Sequence, residues 1–552
     1  MEKAHIYKPK NKIRIITAAA LFDGHDASIN IMRRILQSTG CEVIHLGHDR
    51  SVEDIVKCAI QEDANSIAVT SYQGGHMEFF MYMFDLLKIN NATHIKIFGG
   101  GGGTILHSEI NSLHKYGIER IYHPDDGRKM GLQGMINDLV ERSDYDINET
   151  DFLPTINNIK SRDNKAIGRL ISIFENSSPL KKNYLDFLTE EALKSNSYVL
   201  GITGTGGAGK SSFVDEIIRR LLNNFKKISI AIICVDPSKK RTKGALLGDR
   251  IRMNSVNDCR VYMRSMATRK SNISLSKSIS DSLSILKSAH YDLIILETSG
   301  IGQSDTEITE FSDKSIYVMT PEFGAPSQLE KIDMLDFADF VILNKFDKTG
   351  SLDALRDVKK QFQRNQNLFD TLIDSMPVYG TISSEFNNDG INYFFGDLIN
   401  EIKNHVMVLD QAKIILSTSH KKNQLIPPSR VRYLSEISEI IRSYNHETIE
   451  SSIIAESIFS LKNSFKILEN PSTKKEIKNK ISKLSKKINN DDIKSLESFS
   501  KTLKKYKNEK FQFQVREKTL TINNFKESLS GTKIPVVATP KYTSWRDILI
   551  WL

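Results

Sequence analysis

The sequence lacks the features that mark membrane and disulfide-stabilised proteins. No apolar run approaches the ~18 residues that a membrane-spanning helix needs, so we expect no membrane partner. The 552 residues include four cysteines and no Cys-x-x-Cys pair. Scattered cysteines are typical of reduced thiols, which predicts a cytoplasmic protein without a disulfide framework or a cysteine zinc site. The length suffices for two or three domains with full-sized cores.

Arginine is absent from the most basic segment, residues 461–510, which carries 15 lysines and 6 acidic residues. The excess of lysines over acidic residues in this segment equals the net charge of the whole chain, +9, so the rest of the chain is balanced in charge. Proteins that read nucleic acids depend on arginine and on stacking aromatic rings. A lysine-only segment is more typical of a solvated helical face. We therefore expect no nucleic-acid partner, and a weak electrostatic role stays open.

Residues 12–142 alternate between apolar strands and helices joined by short loops. The strands are predicted at Lys12–Ala20, Cys41–Leu46, Ser66–Ser71, His94–Phe98 and Ile118–Tyr122. Five such β/α units predict a parallel sheet covered by helices on both faces. Sheets of this kind bind ligands beyond the carboxyl ends of their strands.

A second α/β domain is predicted between about residues 197 and 415. Its strands are expected at Tyr198–Thr203, Ile228–Val235, Tyr291–Leu296, Lys314–Met319 and Phe340–Leu343. Residues 143–190 are predicted to form a connector with two weakly amphipathic helices. Residues 416–530 are predicted to be helical, because apolar residues recur there at spacings of three and four. One such stripe runs from Ile477 to Ile488 and is interrupted at Asn489–Asp492.

The segment Gly204–Ser211 fits the phosphate-binding pattern G-x-x-x-x-G-K-[ST]. It follows a predicted strand and opens a predicted helix, which is the context that this motif requires. The glycines let backbone N–H groups turn toward phosphate oxygens, and the helix N-terminus favours negative charge. Lys210 is expected to reach the β- and γ-phosphates, and the Ser211 hydroxyl to ligate Mg²⁺.

Two further predicted strands of this domain end in acidic residues, Asp236 and Glu297, which could hold Mg²⁺ directly or through water. The loop after Asp236 adds Asp249 and Arg252. Taken alone, these residues are equally compatible with ordinary loop polarity. Small GTPases usually carry aspartate at the position of Glu297, so this residue departs from the common pattern.

Another strand runs into Asn344-Lys345-Phe346-Asp347, an N-K-x-D pattern. A carboxylate there can accept both the N1–H and N2–H₂ donors of guanine, and adenine offers no such pair. Together with the phosphate loop, the pattern favours GTP over ATP. Ser383 and Ser384 could complete the base pocket, although the signal is weak. The predicted GTP contacts are Gly207, Ala208, Gly209, Lys210, Ser211, Ser212, Arg252, Asn344, Lys345, Phe346 and Asp347.

In the first domain, Asp23-Gly24-His25-Asp26 directly follows the first strand. An aspartate two residues before a histidine can accept one ring N–H, which fixes the tautomer and makes the other nitrogen a better metal ligand. Ser71-Tyr72-Gln73-Gly74-Gly75 follows the third strand, and five consecutive glycines, Gly99 to Gly103, follow the fourth. Loops without side chains leave room for a bulky ligand against the backbone.

These three segments resemble the cobalamin-binding domain of adenosylcobalamin-dependent acyl-CoA mutases. The resemblance implies that His25 is the lower axial ligand of cobalt and that Asp23 orients it. It also implies that Ser71, Gly99 and Gly100 lie beside the buried nucleotide tail of the cofactor. The family pattern is D-x-H-x-x-G, and the glycine position is Ser28 in this chain.

The second domain resembles the GTPase chaperones that guard cobalamin loading of methylmalonyl-CoA mutase. The similarity rests on GGAGKSS, VDPS, GDRIRM, ETSGIGQSD and NKFDKTG. That family uses glutamate in its third motif, so Glu297 agrees with it. The resemblance implies Mg²⁺ contacts from Ser211, Asp236, Asp249, Glu297 and Thr298, with Arg252 near the phosphates and Lys210 as the catalytic cation.

The order of domains is similar to that of fused isobutyryl-CoA mutases. The resemblance implies a flavodoxin-like five-stranded parallel cobalamin-binding domain (1–145), a helical connector (146–195), a P-loop GTPase (196–415) and an α-helical linker (416–530). Residues 531–552, with both tryptophans of the chain, resemble the entrance to a mutase barrel whose remainder is absent here.

The expected function is therefore the cobalamin-binding and GTPase-chaperone portion of an acyl-CoA mutase, with GTP hydrolysis gating the loading of adenosylcobalamin. Its expected partner is a mutase barrel domain or subunit, and the complete enzyme is expected to be a homodimer. Isomerisation of isobutyryl-CoA to n-butyryl-CoA is expected only with the barrel. Two alternatives stay open: a stand-alone cobalamin carrier that serves a separate mutase, and a decayed remnant of a fused enzyme.

Overall fold

A computed structural model describes residues 6–149, 152–176, 178–239, 242, 244–268, 278–298, 305–323, 329–409, 432–515 and 518–552. The chain divides into two compact units, Met1–Lys421 and Lys422–Leu552. Among the described helices, none combines the length and apolarity needed to cross a bilayer.

Five strands and five helices alternate in the first part of the first unit. They are β1 (Arg14–Ala20), α1 (Asp26–Thr39), β2 (Glu42–Arg50), α2 (Val52–Gln61), β3 (Ser66–Thr70), α3 (His76–Ile89), β4 (Lys96–Gly100), α4 (His107–Tyr116), β5 (Arg120–Tyr122) and α5 (Pro124–Ser143). The strand order is β5-β4-β3-β1-β2, and all neighbours are parallel. This is the predicted flavodoxin-like order. Every residue of β1 is buried, as expected for a central strand covered on both faces.

The connector contains three helices, α6 (Ile156–Lys160), α7 (Asn164–Glu175) and α8 (Leu185–Lys194), where the sequence predicted two weakly amphipathic ones. Helix α7 is buried from Lys165 to Glu175, because α2 of the first domain packs on one side and α10 (Ser278–Ser288) on another. Its polar residues are buried in ion pairs, such as Arg169 with Asp63 at 2.9 Å. Amphipathic periodicity therefore underestimated how deeply this helix lies.

The second domain is built on a seven-stranded parallel sheet. Its elements, with α10 as above, are β6 (Tyr198–Gly204), α9 (Lys210–Asn224), β7 (Ile230–Pro237), β8 (Ala245–Leu247), β9 (Val261–Thr268), β10 (Leu293–Thr298), β11 (Lys314–Met319), β12 (Phe340–Asn344), α11 (Ser351–Asn365), β13 (Val378–Thr381) and α12 (Asp389–Ile402). The order is β13-β12-β11-β6-β10-β7-β9. The phosphate loop follows the central strand β6, and the N-K-x-D segment follows β12 two positions away, so both lie at the carboxyl edge of one sheet.

Strand β8 does not belong to the sheet of its own domain. It pairs in parallel with β2, with Glu42, Val43 and Ile44 opposite Ala245, Leu246 and Leu247. The first sheet thus has six strands where the sequence predicted five. Strand β9 was also not predicted; it forms the edge beside β7 and is completely buried.

The second unit contains helices α13 (Tyr433–Ile467), α14 (Pro471–Ser485), α15 (Asn490–Lys507) and α16 (Trp545–Trp551). The predicted break lies slightly earlier than Asn489–Asp492: α14 ends at Ser485 and α15 begins at Asn490, where the Asn489 side chain accepts a bond from Asp491 N and caps the helix. The prediction of helix up to residue 530 is wrong. Residues 510–535 form two antiparallel hairpins, β14 (Lys510–Val515) with β15 (Lys518–Asn523) and β16 (Phe525–Glu527) with β17 (Lys533–Pro535). The alternation in KFQFQV has the period of a strand, not of a helix.

Candidate functional site

The loop after β1 holds His25 through a buried aspartate. Asp23 Oδ1 accepts bonds from the backbone N–H and from Nδ1 of His25, at 2.9 and 2.8 Å, and Oδ2 accepts from Tyr72 N at 2.7 Å. Burial raises the pKa of the Asp23 carboxyl, but these donors outweigh it, so the pKa is lowered. An ionised Asp23 fixes the proton on Nδ1, and Nε2 of a side chain that is 75% exposed is left as the available nitrogen.

A cavity of about 310 Å³ opens beside this loop, at the carboxyl ends of β3, β4 and β5. Its lining includes Thr70, Gly99, Gly100 and His123. A side chain on Gly101 would place Cβ only 1.8 Å from the Ser71 carbonyl oxygen, so the close approach of the two loops requires glycine.

Two buried hydroxyls lie where β3 ends, and one of them, on Thr70, belongs to the lining of the cavity. Thr70 Oγ1 and Ser71 Oγ have no hydrogen-bond partner among the residues that the structure describes. A buried unpaired hydroxyl is costly and is normally satisfied by a ligand or water. The apolar walls, the glycine backbone and the unpaired Thr70 hydroxyl fit the nucleotide tail of a cobalamin, and the exposed His25, whose ring lies 5.4 Å from that of Tyr72 in the lining, fits its cobalt.

The phosphate loop has the geometry that its sequence predicts. Gly204, Gly207 and Gly209 have positive φ, and α9 begins at Lys210. Lys210 Nζ donates to the carbonyl oxygens of Gly204 and Thr205, at 2.9 and 3.3 Å. The ammonium therefore lies folded back over the loop that would hold the phosphates.

Three predicted Mg²⁺ ligands meet at the start of α9. Ser211 Oγ lies 2.9 Å from both Asp249 Oδ1 and Glu297 Oε1. Burial raises the pKa of Glu297 to about 8, and the negative charge of Asp249 adds to the shift. Burial, followed by the charges of Asp249 and Glu297, also raises the pKa of Asp236 to about 8. Without a cation, these neighbouring carboxyl groups retain protons because their negative charges would repel one another. A divalent cation would offset that repulsion, and the oxygen ligands suit Mg²⁺.

The sequence did not identify Cys234, which lies within this cluster. Its Sγ donates to Glu297 Oε2 at 3.6 Å, and the ligand atoms of Cys234, Asp249 and Glu297 all lie within 4.8 Å of one another. Burial raises the pKa of the Cys234 thiol well above its usual value. Thr298 is buried at the end of β10, beside these groups in sequence. Ser299, Gly300 and Gln303 of the same motif lie outside the described residues.

Asn344 connects the N-K-x-D segment to the phosphate loop. Its Nδ2 donates to Ala208 O at 2.7 Å, and its Oδ1 accepts from Ser383 Oγ at 3.0 Å. Asp347 is exposed, so its carboxylate is accessible to a base. Phe346 packs over Gly380, where a Cβ would approach the ring to 2.7 Å. The weak signal at Ser383 thus marks a residue that supports Asn344. Arg252 is exposed in the turn Asp249–Arg252, and its contact with phosphate stays a prediction.

Comparisons with known proteins match both domains. The B12 binding domain family matches residues 13–122, and the family described as methylmalonyl Co-A mutase-associated GTPase MeaB matches residues 167–430. The fused isobutyryl-CoA mutase of Geobacillus kaustophilus is 48% identical over 560 residues, which is 100% of this chain and 52% of the relative. That of Cupriavidus metallidurans is 45% identical over 552 residues, 99% of this chain and 50% of the relative. A GTPase of Pyrococcus abyssi is 31% identical over 58% of this chain and 88% of its own length.

Over its whole length, the chain is similar to fused isobutyryl-CoA mutases. It spans about half the length of the fused relatives that it matches, and it carries their B12-binding and GTPase domains. The resemblance inferred from the motifs is thereby confirmed at the level of the two domains.

A buried ion network joins the B12-binding domain to the GTPase domain. Glu62, at the end of α2, accepts from Arg14 Nη1 at 3.3 Å, from Arg250 Nη1 at 3.2 Å and from Ser265 N at 3.0 Å. Arg250 directly follows Asp249, a predicted Mg²⁺ ligand. Sequence patterns gave no signal for this network, because its members lie about 50 to 200 positions apart.

Proposed function

We propose that the second domain binds and hydrolyses GTP with Mg²⁺. The proposal is carried by the convergence of Lys210, Ser211, Asp249 and Glu297 at the N-terminus of α9, with Asn344 fastened to the same loop. Lys210 would move from its carbonyl partners to the β- and γ-phosphates and act as the catalytic cation. Ser211, Asp236, Asp249, Glu297 and Thr298 would hold Mg²⁺ directly or through water. The bound ion would neutralise charge that develops on the phosphates.

The base specificity of this site can be tested at Asp347. An Asp347→Asn side chain offers one donor and one acceptor, which match the N1–H and O2 of xanthine but not the two donors of guanine. We expect GTP affinity to fall at least about 100-fold and XTP affinity to rise, both measured by equilibrium titration. The exposed Asp353→Asn in α11 is the matched control. If Asp347→Asn bound GTP as the unaltered chain does, the assignment of the base site would be wrong.

In the first domain we propose that adenosylcobalamin is the bound form, with His25 Nε2 as the axial ligand of cobalt and Asp23 fixing the tautomer. Ser71, Gly99 and Gly100 would lie along the nucleotide tail in the cavity. The bound cofactor would supply the radical chemistry. The chain's own groups would hold and orient it.

We propose further that the nucleotide state controls cobalamin loading through the segment 245–250. Strand β8 lies in the sheet of the cobalamin domain, and Asp249 two residues later lies at the Mg²⁺ site. Arg250 then pairs with Glu62, and Arg50 Nη2 donates to Ile251 O at 3.3 Å. A movement of Asp249 toward Mg²⁺ would therefore act directly on the edge of the cobalamin sheet. Such a segment would couple the binding of GTP to the binding of cobalamin through one conformational equilibrium. The nucleotide must then change the affinity for cobalamin by the same factor as cobalamin changes the affinity for the nucleotide.

The coupling can be tested with Arg250→Gln, which removes the interdomain pair while Glu62 keeps Arg14 and Ser265. We expect cobalamin affinity to differ between GDP and a non-hydrolysable GTP analogue in the unaltered chain. That difference should shrink several-fold in Arg250→Gln. The control is Arg260→Gln, because Arg260 pairs with Asp258 of its own domain at 2.7 Å. An undiminished difference in Arg250→Gln would rule out this route.

For the complete system we propose interconversion of isobutyryl-CoA and n-butyryl-CoA together with a mutase barrel domain or subunit, as a homodimer in the cytoplasm. We retain the predicted domain boundaries, 1–145, 146–195, 196–415, 416–530 and 531–552, as part of this proposal. The proposal is supported by the fused relatives, whose sequences are 48% and 45% identical to this one over 100% and 99% of the chain. Isomerisation should be measurable only after a barrel is supplied, and activity of this chain alone would overturn that division of roles.

A further inference from the structure

Two histidines and an aspartate meet at the rim of the first domain, apart from the residues assigned above to cobalt or nucleotide. His107 is the first residue of α4, His123 follows β5, and Asp125 lies in the first turn of α5. The β4–α4 and β5–α5 loops lie side by side because β4 and β5 are neighbouring parallel strands. The centroids of the two imidazole rings are 4.1 Å apart, and the rings are tilted by 37°.

The ligand atoms lie close to the spacing that a tetrahedral cation requires. His123 Nδ1 lies 3.2 Å and His107 Nε2 lies 3.7 Å from the same oxygen, Asp125 Oδ2. Three ligand atoms, one from each residue, all lie within 4.8 Å of one another. Zinc–ligand distances of about 2.0–2.1 Å at tetrahedral angles place neighbouring ligand atoms roughly 3.3–3.4 Å apart. Small rotations of the exposed His107 ring would complete the geometry.

The surroundings leave the site open for an ion. Asp125 Oδ1 accepts from Arg128 Nη1 at 2.9 Å, which leaves Oδ2 for the histidines. His123 Nδ1 accepts only a long bond, 3.3 Å, from Asp125 N. The His107 side chain is 70% exposed and that of Asp125 is 43% exposed, so a water has access to a fourth position.

We propose that His107, His123 and Asp125 form a binding site for a divalent transition cation of the zinc class. Two imidazole nitrogens with one carboxylate oxygen are a zinc ligand set, whereas Mg²⁺ and Ca²⁺ prefer oxygen ligands alone. His123 also lines the cavity of about 310 Å³. A bound ion therefore connects the start of α4 to the wall of that cavity and restrains the loop Gly101–Leu106 at its mouth.

The test is a Zn²⁺ titration of the full chain, prepared without cobalamin, against a chromophoric chelator. Excess Mg²⁺ and GDP are present so that the cluster around Glu297 is engaged. The unaltered chain should bind Zn²⁺ at this site, and His107→Ala should weaken that binding at least about 10-fold. The loss of even an outer partner of a metal ligand typically costs 10–100-fold. Because His107 is exposed, this variant should fold.

Asp125→Asn provides a second variant that keeps the size and hydrogen-bonding capacity of the side chain, and it should also weaken Zn²⁺ binding. His446→Ala is the matched control, because His446 is an exposed histidine paired with Glu450 at 3.4 Å in the second unit. Unchanged Zn²⁺ affinity in both His107→Ala and Asp125→Asn would overturn the proposal. An equal loss in His446→Ala would also overturn it, because it would indicate nonspecific binding to surface histidines.

Discussion

At the scale of single residues, the cobalamin site depends on how Asp23 is held. Three donors keep this buried carboxylate ionised, and one of them is Tyr72 N on the neighbouring β3–α3 loop. Asp23 therefore joins two loops as well as orienting His25. The motif Asp-x-His predicted the pair of side chains, but the contribution of Tyr72 could be seen only in the fold.

The role of His25 can be examined by its removal. In His25→Ala, bound cobalamin should keep its own base or a water on cobalt, because no imidazole is offered in its place. The absorption spectrum of the complex should differ from that of the unaltered chain. Asp26→Asn, at the next and exposed position, should leave the spectrum unchanged. An unaltered spectrum in His25→Ala would mean that another group is the axial ligand.

Glu297 predicts a pH dependence of stability in the absence of Mg²⁺ and nucleotide. The folded chain keeps the Glu297 proton up to about pH 8, while the unfolded chain loses it near the ordinary value of 4.5. Between these values the folded state binds more protons, so stability falls as pH rises. In Glu297→Gln the fall in Tm between pH 5 and 7.5 should be at least about 2 °C smaller, the effect of roughly 1 kcal/mol in a domain of this size.

The exposed Glu190→Gln is the control for this comparison. If Glu297 were not a Mg²⁺ ligand, addition of Mg²⁺ with GDP would stabilise the unaltered chain, Glu190→Gln and Glu297→Gln to the same extent. We expect instead that Mg²⁺ with GDP stabilises the first two and not Glu297→Gln. Equal pH dependence in all three chains would contradict the raised pKa.

At the scale of elements, α7 shows how close packing overrides helix propensity. A Cβ on Gly168 would lie 2.9 Å from Gln61 O and 3.0 Å from Ile60 O, at the end of α2. Alanine favours a helix by about 0.5–1 kcal/mol over glycine, whereas overpacking against backbone costs about 1–3 kcal/mol. The clash should dominate, because backbone carbonyls cannot turn aside as a flexible side chain can.

We therefore expect Gly168→Ala to lower the midpoint of thermal unfolding by a few degrees. Gly127→Ala in α5 is the control, because its Cβ would meet only the flexible Met135 side chain, at 3.4 Å. The first variant should be clearly less stable than the second. The interpretation of α7 as a tightly packed interdomain helix would be refuted by a Gly168→Ala chain as stable as Gly127→Ala.

The elements predicted correctly are those with strong local patterns. The strands β1 to β5, continuous in hydrophobicity and separated by helices, were found in the expected order, and the helix break was found close to Asn489. Strand β8 is three residues long and β14 is bounded by charged residues, so neither stands out in a helical or loop-rich context. The depth of α7 was missed because its buried arginine and lysine look like solvent-facing residues.

At the scale of the whole molecule, β8 and the ion network connect the cobalamin and GTPase domains, so we expect these two domains to unfold as one cooperative body. Nucleotide binding to the GTPase should then protect strands in the other domain. With GDP and Mg²⁺ at 100 times their dissociation constants, the stabilisation is about 2.7 kcal/mol, or roughly 100-fold slower exchange of amides that open by global unfolding. We expect this slowing in β1 and β3 as well as in β6, measured by hydrogen exchange.

Lys210→Ala is the control, since it should not bind the nucleotide and should show no slowing in either domain. Slowing confined to β6 and its neighbours would show that the two domains unfold independently. That result would also weaken the proposed control of cobalamin loading through the segment 245–250.

The sequence by itself identified the phosphate loop, the N-K-x-D segment, the Asp23–His25 pair and the resemblance to fused mutases. The three segments each consist of a few consecutive residues at the end of a strand. The local sequence is therefore enough to identify their chemistry. Only the tertiary structure decided the place of Cys234 beside Glu297, the transfer of β8 to the other sheet, and the meeting of His107 with His123. Those arrangements bring together residues that are separated in the sequence, because the pairing of neighbouring strands, rather than any local pattern, sets them side by side.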